Sequence, residues 1–209
     1  MVKSKFVWLA SWPRSGNTYL RTILWHCFGL HSGSIYPDEF SGNKKLQEYV
    51  GHIEDKKSLF VAGNIPLIKT HEAPTDASPA IYIVRNGEAA TLSLCQFYPE
   101  TPLEIVIEGR HRFGTWASHL QLWKPWERPN TLLLRYEDMV SDLPGSLDKI
   151  SHFLGVRILN EIVPPRDAIA DVDGRIVKKA SVSKPVLPES LSKRFLELNG
   201  EMLRKMGYL

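Results

Sequence analysis

The chain has 209 residues, of which 43% are hydrophobic and 23% are charged, so it is long enough to bury a core as one globular domain. Its formal net charge of +3 permits an anionic ligand but gives no reason to expect a nucleic-acid partner. Cys27 and Cys95 are too few for a disulfide framework and form no cluster of metal ligands.

The first five residues lead directly into an apolar run. No signal-peptide core and no apolar stretch of about 18 residues follows them. We therefore expect a cytoplasmic protein in which residues 1–209 form a single domain, without a membrane partner. The sequence does not indicate the oligomeric state.

A candidate phosphate-binding loop lies near the start of the chain. Residues 6–11 form an apolar, aromatic-rich run typical of a buried strand, and residues 19–28 place apolar side chains at helical spacing. The loop between them reads Ser-Trp-Pro-Arg-Ser-Gly-Asn-Thr over residues 11–18. A strand, a tight loop and a helix direct backbone N–H groups and the positive helix end at a phosphate. Four loop side chains can also donate to phosphate oxygens: Arg14, Ser15, Asn17 and Thr18.

The same loop departs from the phosphate-loop pattern of ATPases and GTPases, G-x-x-x-x-G-K-[ST]. Ser11 replaces the first glycine and Asn17 replaces the lysine, whereas Gly16 and Thr18 match. Without the lysine, the usual contact to a transferred phosphate is missing. The loop therefore predicts a grip on a nucleotide phosphate without the equipment for ATP hydrolysis. The alternative is an ordinary strand-to-helix turn.

The rest of the chain alternates between strands and helices. Short apolar runs predict strands at residues 65–71, 80–85 and 131–136. Apolar residues at helical spacing predict helices at residues 88–97, 116–126, 144–154 and 188–206, the third capped by Asp142 or Ser141. We expect irregular structure at residues 29–58, apart from one short helix around Leu46 to Ile53, and at residues 99–111 and 156–187.

This order predicts an α/β fold with three layers, a mainly parallel sheet flanked by helices as in P-loop NTPases. Ligands of such sheets bind at the carboxyl ends of the strands. Five polar or charged side chains follow or end predicted strands and should meet at that edge: Arg14, Lys69, His71, Arg85 and Tyr136.

Four segments in this order resemble the sulfotransferase family. Residues 11–18 resemble its 5′-phosphosulfate loop, and Lys69-Thr70-His71 resembles its Lys-Thr-His segment. Residues 83–86, with Ser93 further on, are similar to its 3′-phosphate motif, and residues 135–139 match a Tyr-Glu-Asp segment. The likeness extends over about residues 5–156.

The resemblance implies a donor, 3′-phosphoadenosine 5′-phosphosulfate (PAPS), a product, 3′-phosphoadenosine 5′-phosphate (PAP), and no metal. The sulfonate group would pass to a hydroxyl or amine of a small acceptor. Backbone N–H groups around residues 15–18 would hold the 5′-phosphate, Arg14 would stabilise the departing phosphate, and Lys69 would lie over the sulfonate. Arg14 replaces the family's more usual lysine.

The resemblance also implies a site for the rest of the nucleotide. Arg85 and Ser93 would bind the 3′-phosphate, and Tyr136 or Trp12 would contact the adenine. The family's C-terminal basic segment has its nearest counterparts in Gly174-Arg175 and in Lys178 and Lys179. Packing roles for these aromatic residues, and an ion pair from Arg85 to Asp138, are the alternatives.

His71 is the candidate general base because a histidine can be neutral near pH 7 and accept a proton there. Glu72 follows directly and is the alternative base. Five aromatic residues favour an apolar or aromatic alcohol as acceptor, although packing roles and a sugar acceptor stay open: Tyr36, Phe40, Phe97, Tyr98 and Phe113. Two other functions also stay open, a kinase with a degenerate phosphate loop and a catalytically silent PAP-binding protein.

Overall fold

The computed structural model describes residues 6–37, 39–40, 42–61, 64–176 and 186–209. Within these ranges the strands are β1 (Val7–Ser11), β2 (Ser32–Ser34), β3 (Leu67–Thr70), β4 (Ala80–Val84) and β5 (Thr131–Arg135). They form one sheet in the order β2-β3-β1-β4-β5, and every pair is parallel. The chain reaches β2 and β3 on one side of β1 and β4 and β5 on the other. The strand order therefore reverses beside β1, which is where a ligand crevice is expected.

The helices cover both faces of this sheet. Their bounds are α1 (Asn17–Phe28), α2 (Lys44–Val50), α3 (Gly87–Phe97), α4 (Leu103–Ile107), α5 (Trp116–Trp123), α6 (Tyr136–Ser141), α7 (Leu143–Leu154), α8 (Arg166–Val172) and α9 (Glu189–Lys205), with a short 3-10 helix at Lys56–Phe60. Among the helices in the described ranges, none has the length and apolar character that crossing a membrane requires.

The alternation of side chains along β4 shows why the fold has three layers. Ala80, Tyr82 and Val84 face a core that contains α3, α4, α5 and α9. Ile81 and Ile83 face a second core that contains α1 and α7. All five side chains are buried, as expected for a parallel strand covered on both faces. The predicted three-layer parallel fold is therefore confirmed.

Helix ends follow local sequence signals. The α1 helix ends at Gly29, which has φ 66° and belongs to the left-handed region that glycine adopts without steric cost. Asp142 caps α7 as predicted, and its side chain accepts the Gly145 N–H. The helix around Leu46 is also confirmed as α2, although it ends at Val50.

Three segments predicted to be irregular contain short elements. These are β2 within residues 29–58, α4 within 99–111 and α8 within 156–187. None exceeds seven residues, too few to display a clear apolar period. The β2 strand reads Ser-Gly-Ser, and a Cβ added at Gly33 would lie 2.6 Å from Leu59 Cδ1, so the Leu59 side chain would have to shift. The predicted strand at 131–136 ends one residue earlier, because α6 begins at Tyr136.

Candidate active site

A cleft of about 1670 Å³ opens at the carboxyl ends of the strands. Its lining includes nine of the predicted site residues: Arg14, Gly16, Asn17, Thr18, Lys69, His71, Arg85, Ser93 and Tyr136. Their convergence on one edge of the sheet is what the parallel topology predicted. Lys178 and Lys179, by contrast, lie outside the described residues.

The loop before α1 has free hydrogen-bonding capacity for an anion. Gly16 is the N-cap of α1, with φ 104°, and no side chain caps the first turn. Ser15 Oγ is fully buried and finds no hydrogen-bond partner among the described residues. Buried polar atoms in native proteins nearly always have a partner, so an oxygen-rich ligand fits this loop. A donor phosphate therefore suits the residues present.

Gly16 also sits against the aromatic ring that closes this end of the cleft. A Cβ built on Gly16 would lie 2.4 Å from Tyr136 Cδ2, so only glycine allows the loop and the ring to approach this closely. Tyr19, which no sequence motif marks, packs edge-on against Tyr136 with ring centroids 6.3 Å apart. Both tyrosines line the cleft. Tyr19 could have been found from its position one turn into α1, directly after the loop.

Asn17 and Thr18 both line the cleft, but they differ in burial and in their contacts with the rest of the fold. Asn17 is 4% exposed, and its Nδ2 donates to the Leu9 carbonyl at 2.9 Å, which ties α1 back onto β1. Its Oδ1 finds no partner among the described residues. Thr18 is half-buried and lines the cleft. Asn17 therefore has a structural contact in addition to its predicted ligand role.

Arg14 contacts the residues predicted for the 3′-phosphate. Its Nε donates to Ser93 Oγ at 3.2 Å, and its backbone carbonyl accepts from Arg85 Nη1 at 3.1 Å. Its Nη2 also donates to the carbonyl oxygens of Arg175 and Ile176. Arg14, Arg85 and Ser93 thus form one basic corner, which brings together the two residues that the resemblance assigns to the 3′-phosphate.

Trp12 differs from the prediction that it stacks on adenine. Its side chain is 1% exposed and belongs to the core formed with Trp116 and Trp123. Its Nε1 donates to the Gly114 carbonyl at 3.1 Å. Because no ring face is open to the cleft, the adenine role of Trp12 is wrong. An aromatic residue beside a loop is equally suited to core packing, and only burial separates the two roles.

The His71 ring is held by a backbone group. Its Nδ1 lies 2.8 Å from the Ser11 carbonyl oxygen, which can only accept, so Nδ1 carries the proton and Nε2 is the acceptor nitrogen. Burial, followed by the charge of Lys69, holds the pKa of His71 well below its usual value. A neutral imidazole with an accepting Nε2 has the protonation state that a general base needs.

Glu72 is engaged elsewhere. Its Oε1 lies 2.6 Å from Arg112 Nη2 and accepts from Tyr36 Oη at 3.0 Å. Tyr36 Oη in turn accepts the His71 backbone N–H at 2.9 Å. The group that orients the imidazole is therefore the Ser11 carbonyl, whereas Glu72 holds Tyr36 and Arg112 at the wall of the cleft.

Lys69 lies in a buried cluster of charges. Its Nζ pairs with Glu39 Oε1, and Arg21 Nη1 pairs with Glu39 Oε2 at 2.8 Å. The exposed fractions of the side chains are 11% for Lys69, 7% for Glu39 and 0% for Arg21. Burial would raise the pKa of Glu39, but the charges of Arg21 and Lys69 outweigh burial and hold the pKa below its usual value. No sequence pattern marks Arg21 or Glu39, because their partners are distant along the chain.

All five aromatic residues proposed for an acceptor pocket line the cleft: Tyr36, Phe40, Phe97, Tyr98 and Phe113. Two of them flank the candidate base. The Tyr36 ring is nearly parallel to His71 at 5.8 Å, and the Phe113 ring meets it edge-on at 5.9 Å. An apolar slot therefore adjoins His71.

Known proteins resemble this chain in sequence. The family model of the sulfotransferase domain matches residues 4–171. Sulfotransferase 2A6 of Mus musculus is 36% identical over 178 residues, which cover 74% of this chain and 61% of that protein. Sulfotransferase 4A1 of Homo sapiens is 28% identical over 179 residues, with the same two shares. The alignments thus span about 61% of the length of these relatives.

Solved structures agree with the fold. Mouse sulfotransferase SULT7A1 complexed with PAP superposes with a TM-score of 0.66 at 21% identity, covering 96% of this chain and 85% of that chain. Retinol dehydratase in complex with androsterone and PAP superposes with a TM-score of 0.60 at 17% identity, covering 96% of this chain and 81% of that chain. At such identities the likeness concerns the fold. The family model matches well over half of the residues of this chain, and the chain therefore belongs to the sulfotransferase domain family.

Proposed function

We propose that this protein is a PAPS-dependent sulfotransferase that releases PAP and needs no metal. The observation that carries the proposal is the neutral His71, which shares one cleft with an uncapped phosphate loop and a buried lysine. Membership in the sulfotransferase domain family supports it. The proposal includes residues 1–209 as one domain, supported by the packing of α9 on the same core as α5.

The donor supplies, when bound, a sulfonate group attached to a phosphate that leaves. The backbone N–H groups at the start of α1 and Ser15 Oγ hold the 5′-phosphate. Lys69 stabilises negative charge at the reacting end of the cleft. His71 Nε2 takes the proton from the acceptor hydroxyl as its oxygen becomes the nucleophile.

In this proposal Arg14 binds the 3′-phosphate with the rest of the basic corner, instead of stabilising the departing phosphate as the resemblance implied. Arg85 and Ser93 bind the 3′-phosphate, and Arg14 joins them because its guanidinium already contacts Ser93. Charge on the departing 5′-phosphate is then stabilised by Lys69 and the loop amides. Tyr136 and Tyr19 bind the adenine, which is consistent with their adjacent rings in the cleft.

The acceptor proposed is a small apolar or aromatic alcohol. Tyr36 and Phe113 support this class because they flank His71, where the acceptor hydroxyl must lie to lose its proton. Flat apolar molecules gain from burial against aromatic rings. The complex of retinol dehydratase contains androsterone, a steroid alcohol, in the same fold.

Calorimetric titration with PAP, ADP and ATP plus Mg²⁺ tests the donor site. We expect PAP to bind without a metal and at least about tenfold more tightly than ADP, because the 3′-phosphate adds charge-assisted hydrogen bonds. Arg85→Ala should reduce this preference and spare ADP. A preference for ATP with Mg²⁺ would indicate a kinase, and binding of none of the three would overturn the proposal.

His71→Ala tests the reaction itself, with naphthol as the acceptor and EDTA present. We expect transfer to fall by about 100-fold or more, whereas the Kd for PAP changes by less than about threefold. In the unaltered protein the rate should still be on its plateau at pH 6.5, where an ordinary histidine is half protonated. PAP binding without transfer to naphthol or to a panel of other alcohols would instead indicate a silent PAP-binding protein.

A further inference from the structure

The cluster of Arg21, Glu39 and Lys69 holds two cations and one carboxylate away from water. Glu39 joins the other two side chains, and the most exposed of the three, Lys69, has only 11% of its side chain exposed. Arg21 is fixed by further contacts, since its Nε donates to Ser32 Oγ at 2.7 Å and its Nη2 lies 2.7 Å from His52 Nδ1. Arg21 therefore anchors Glu39, and Glu39 in turn contacts Lys69.

The position of Glu39 in the cleft makes this pairing relevant to catalysis. Glu39 and Lys69 both line the cleft, and Lys69 lies two residues before His71 on the same strand end. A lysine side chain has a flexible four-carbon stem and needs a fixed partner to hold its ammonium group in one place. Glu39 is the carboxylate that contacts Lys69 Nζ.

The balance of charge also favours an anionic ligand. Two buried cations share one carboxylate, so the cluster keeps one net positive charge at the wall of the cleft. A buried ion cluster with unbalanced charge is costly unless another anion approaches it. The donor can supply that anion.

We propose that Glu39 is a positioning residue, which holds the Lys69 ammonium at the reacting end of the cleft and leaves one positive charge for the donor. This inference rests on the proposed sulfotransferase function. In this proposal Glu39 contacts Lys69 Nζ and acts on the reaction only through that ammonium group. Its effect on transfer therefore passes through Lys69.

The test uses Glu39→Gln in the unaltered protein and in a Lys69→Met background. We expect Glu39→Gln to lower transfer to naphthol by about 100-fold in the first, because a displaced catalytic group costs about that much. In the Lys69→Met background the same change should alter the residual rate by less than about twofold, since nothing remains to be positioned. Equal losses in both backgrounds would overturn the inference.

Titration with PAP separates positioning from general damage to the site. Glu39→Gln removes a negative charge from the wall, so PAP should bind as tightly as before or more tightly. A merely structural role would weaken PAP binding together with transfer, which would also overturn the inference. Glu48→Gln is the matched control, because Glu48 is exposed on α2, and it should change neither quantity by more than about twofold.

A measurement on the unliganded protein keeps the inference testable apart from the proposed function. Acetylation of Lys69, followed by mass spectrometry and normalised to the exposed Lys124, should be faster in Glu39→Gln by about tenfold, because loss of the carboxylate favours the free amine. Unchanged labelling would contradict the pairing. If Glu39→Gln does not fold, Glu39→Asp keeps the negative charge but is one carbon shorter, which lengthens the reach to Lys69 Nζ, and faster labelling of Lys69 is again expected. Failure of the unaltered protein to bind PAP would refute the proposed function and leave this labelling result intact.

Discussion

At the scale of single residues, Gly16 shows how one position serves both the backbone and the site. Its φ of 104° lies in a region that other residues rarely adopt, and the Tyr136 ring occupies the space a Cβ would need. The sequence motif indicates a glycine at the end of the phosphate loop, but not the ring behind it. Tyr136 is the first residue of α6, directly after β5, and lies more than a hundred positions further along the chain.

We predict that Gly16→Ala destabilises the protein and weakens PAP binding by about tenfold or more, because the ring must move and the loop amides move with it. Gly42→Ala is the matched control. Gly42 also has a positive φ, 73°, but no atom lies within 4 Å of its added Cβ. Gly42→Ala should lower the free energy of unfolding by about 1–2 kcal/mol and leave PAP binding unchanged. Equal effects of the two changes on PAP binding would show that the contact with Tyr136 is unimportant.

At the scale of elements, α8 and the residues after it connect the phosphate loop with α2. Ile169 of α8 is buried in a small cluster with Phe40, Leu46 and Val50. The carbonyl oxygens of Arg175 and Ile176, just beyond α8, accept from Arg14. Residues 156–187 were predicted to be irregular because they show no clear helical or strand pattern. In the structure, Ile169 finds its partners more than a hundred positions away, which a local pattern does not reveal.

We predict that Ile169→Ala lowers the free energy of unfolding by about 2–4 kcal/mol, the usual cost of a cavity in place of a buried aliphatic side chain. Ile162→Ala is the control at a nearby position. Ile162 is 75% exposed, whereas Ile169 is 1% exposed, so the change at Ile162 should stay within about 0.5 kcal/mol. Urea unfolding of both variants measures the difference. Similar values for the two would mean that the cluster around Ile169 does not contribute to stability.

At the scale of the whole molecule, neutral buried histidines couple folding to pH. Burial, together with the charge of Arg21, lowers the pKa of His52 to about 4. Burial also lowers the pKa of His119 to about 4, and His119 Nδ1 lies 2.8 Å from Tyr82 Oη. Its Nε2 donates to the His71 carbonyl at 3.0 Å, so His119 links α5 to the strand that carries the candidate base. These groups are neutral in the folded protein and take up protons more readily when it unfolds.

The sign of the pH dependence follows from these lowered pKa values. The stability they contribute is fully present above about pH 6.5, the ordinary histidine pKa, and is lost as the pH falls toward 4. The midpoint of thermal unfolding should therefore decrease over this window. His119→Gln should make the decrease shallower, whereas a change at the exposed His152 should not. A midpoint that stays constant between about pH 6.5 and 4 would contradict the prediction.

Local sequence patterns predicted the order of the main strands and helices, the phosphate loop and the edge where the site residues meet. These properties depend on apolar periodicity, on glycine and proline signals, and on the rule that parallel strands end together. His71 and Arg85 could be singled out because they follow predicted strands, and Ser93 because its segment resembles the family's 3′-phosphate motif.

Which side chains face the cleft and which are buried depends on how the whole chain packs. Trp12 lies in the core although it adjoins the loop, and Tyr19 lines the cleft although no motif marks it. The proton on His71 Nδ1 and the pairing of Glu39 with Lys69 depend on groups 30 to 60 positions apart. Contacts between distant segments arise from packing of the whole fold, which local patterns do not encode.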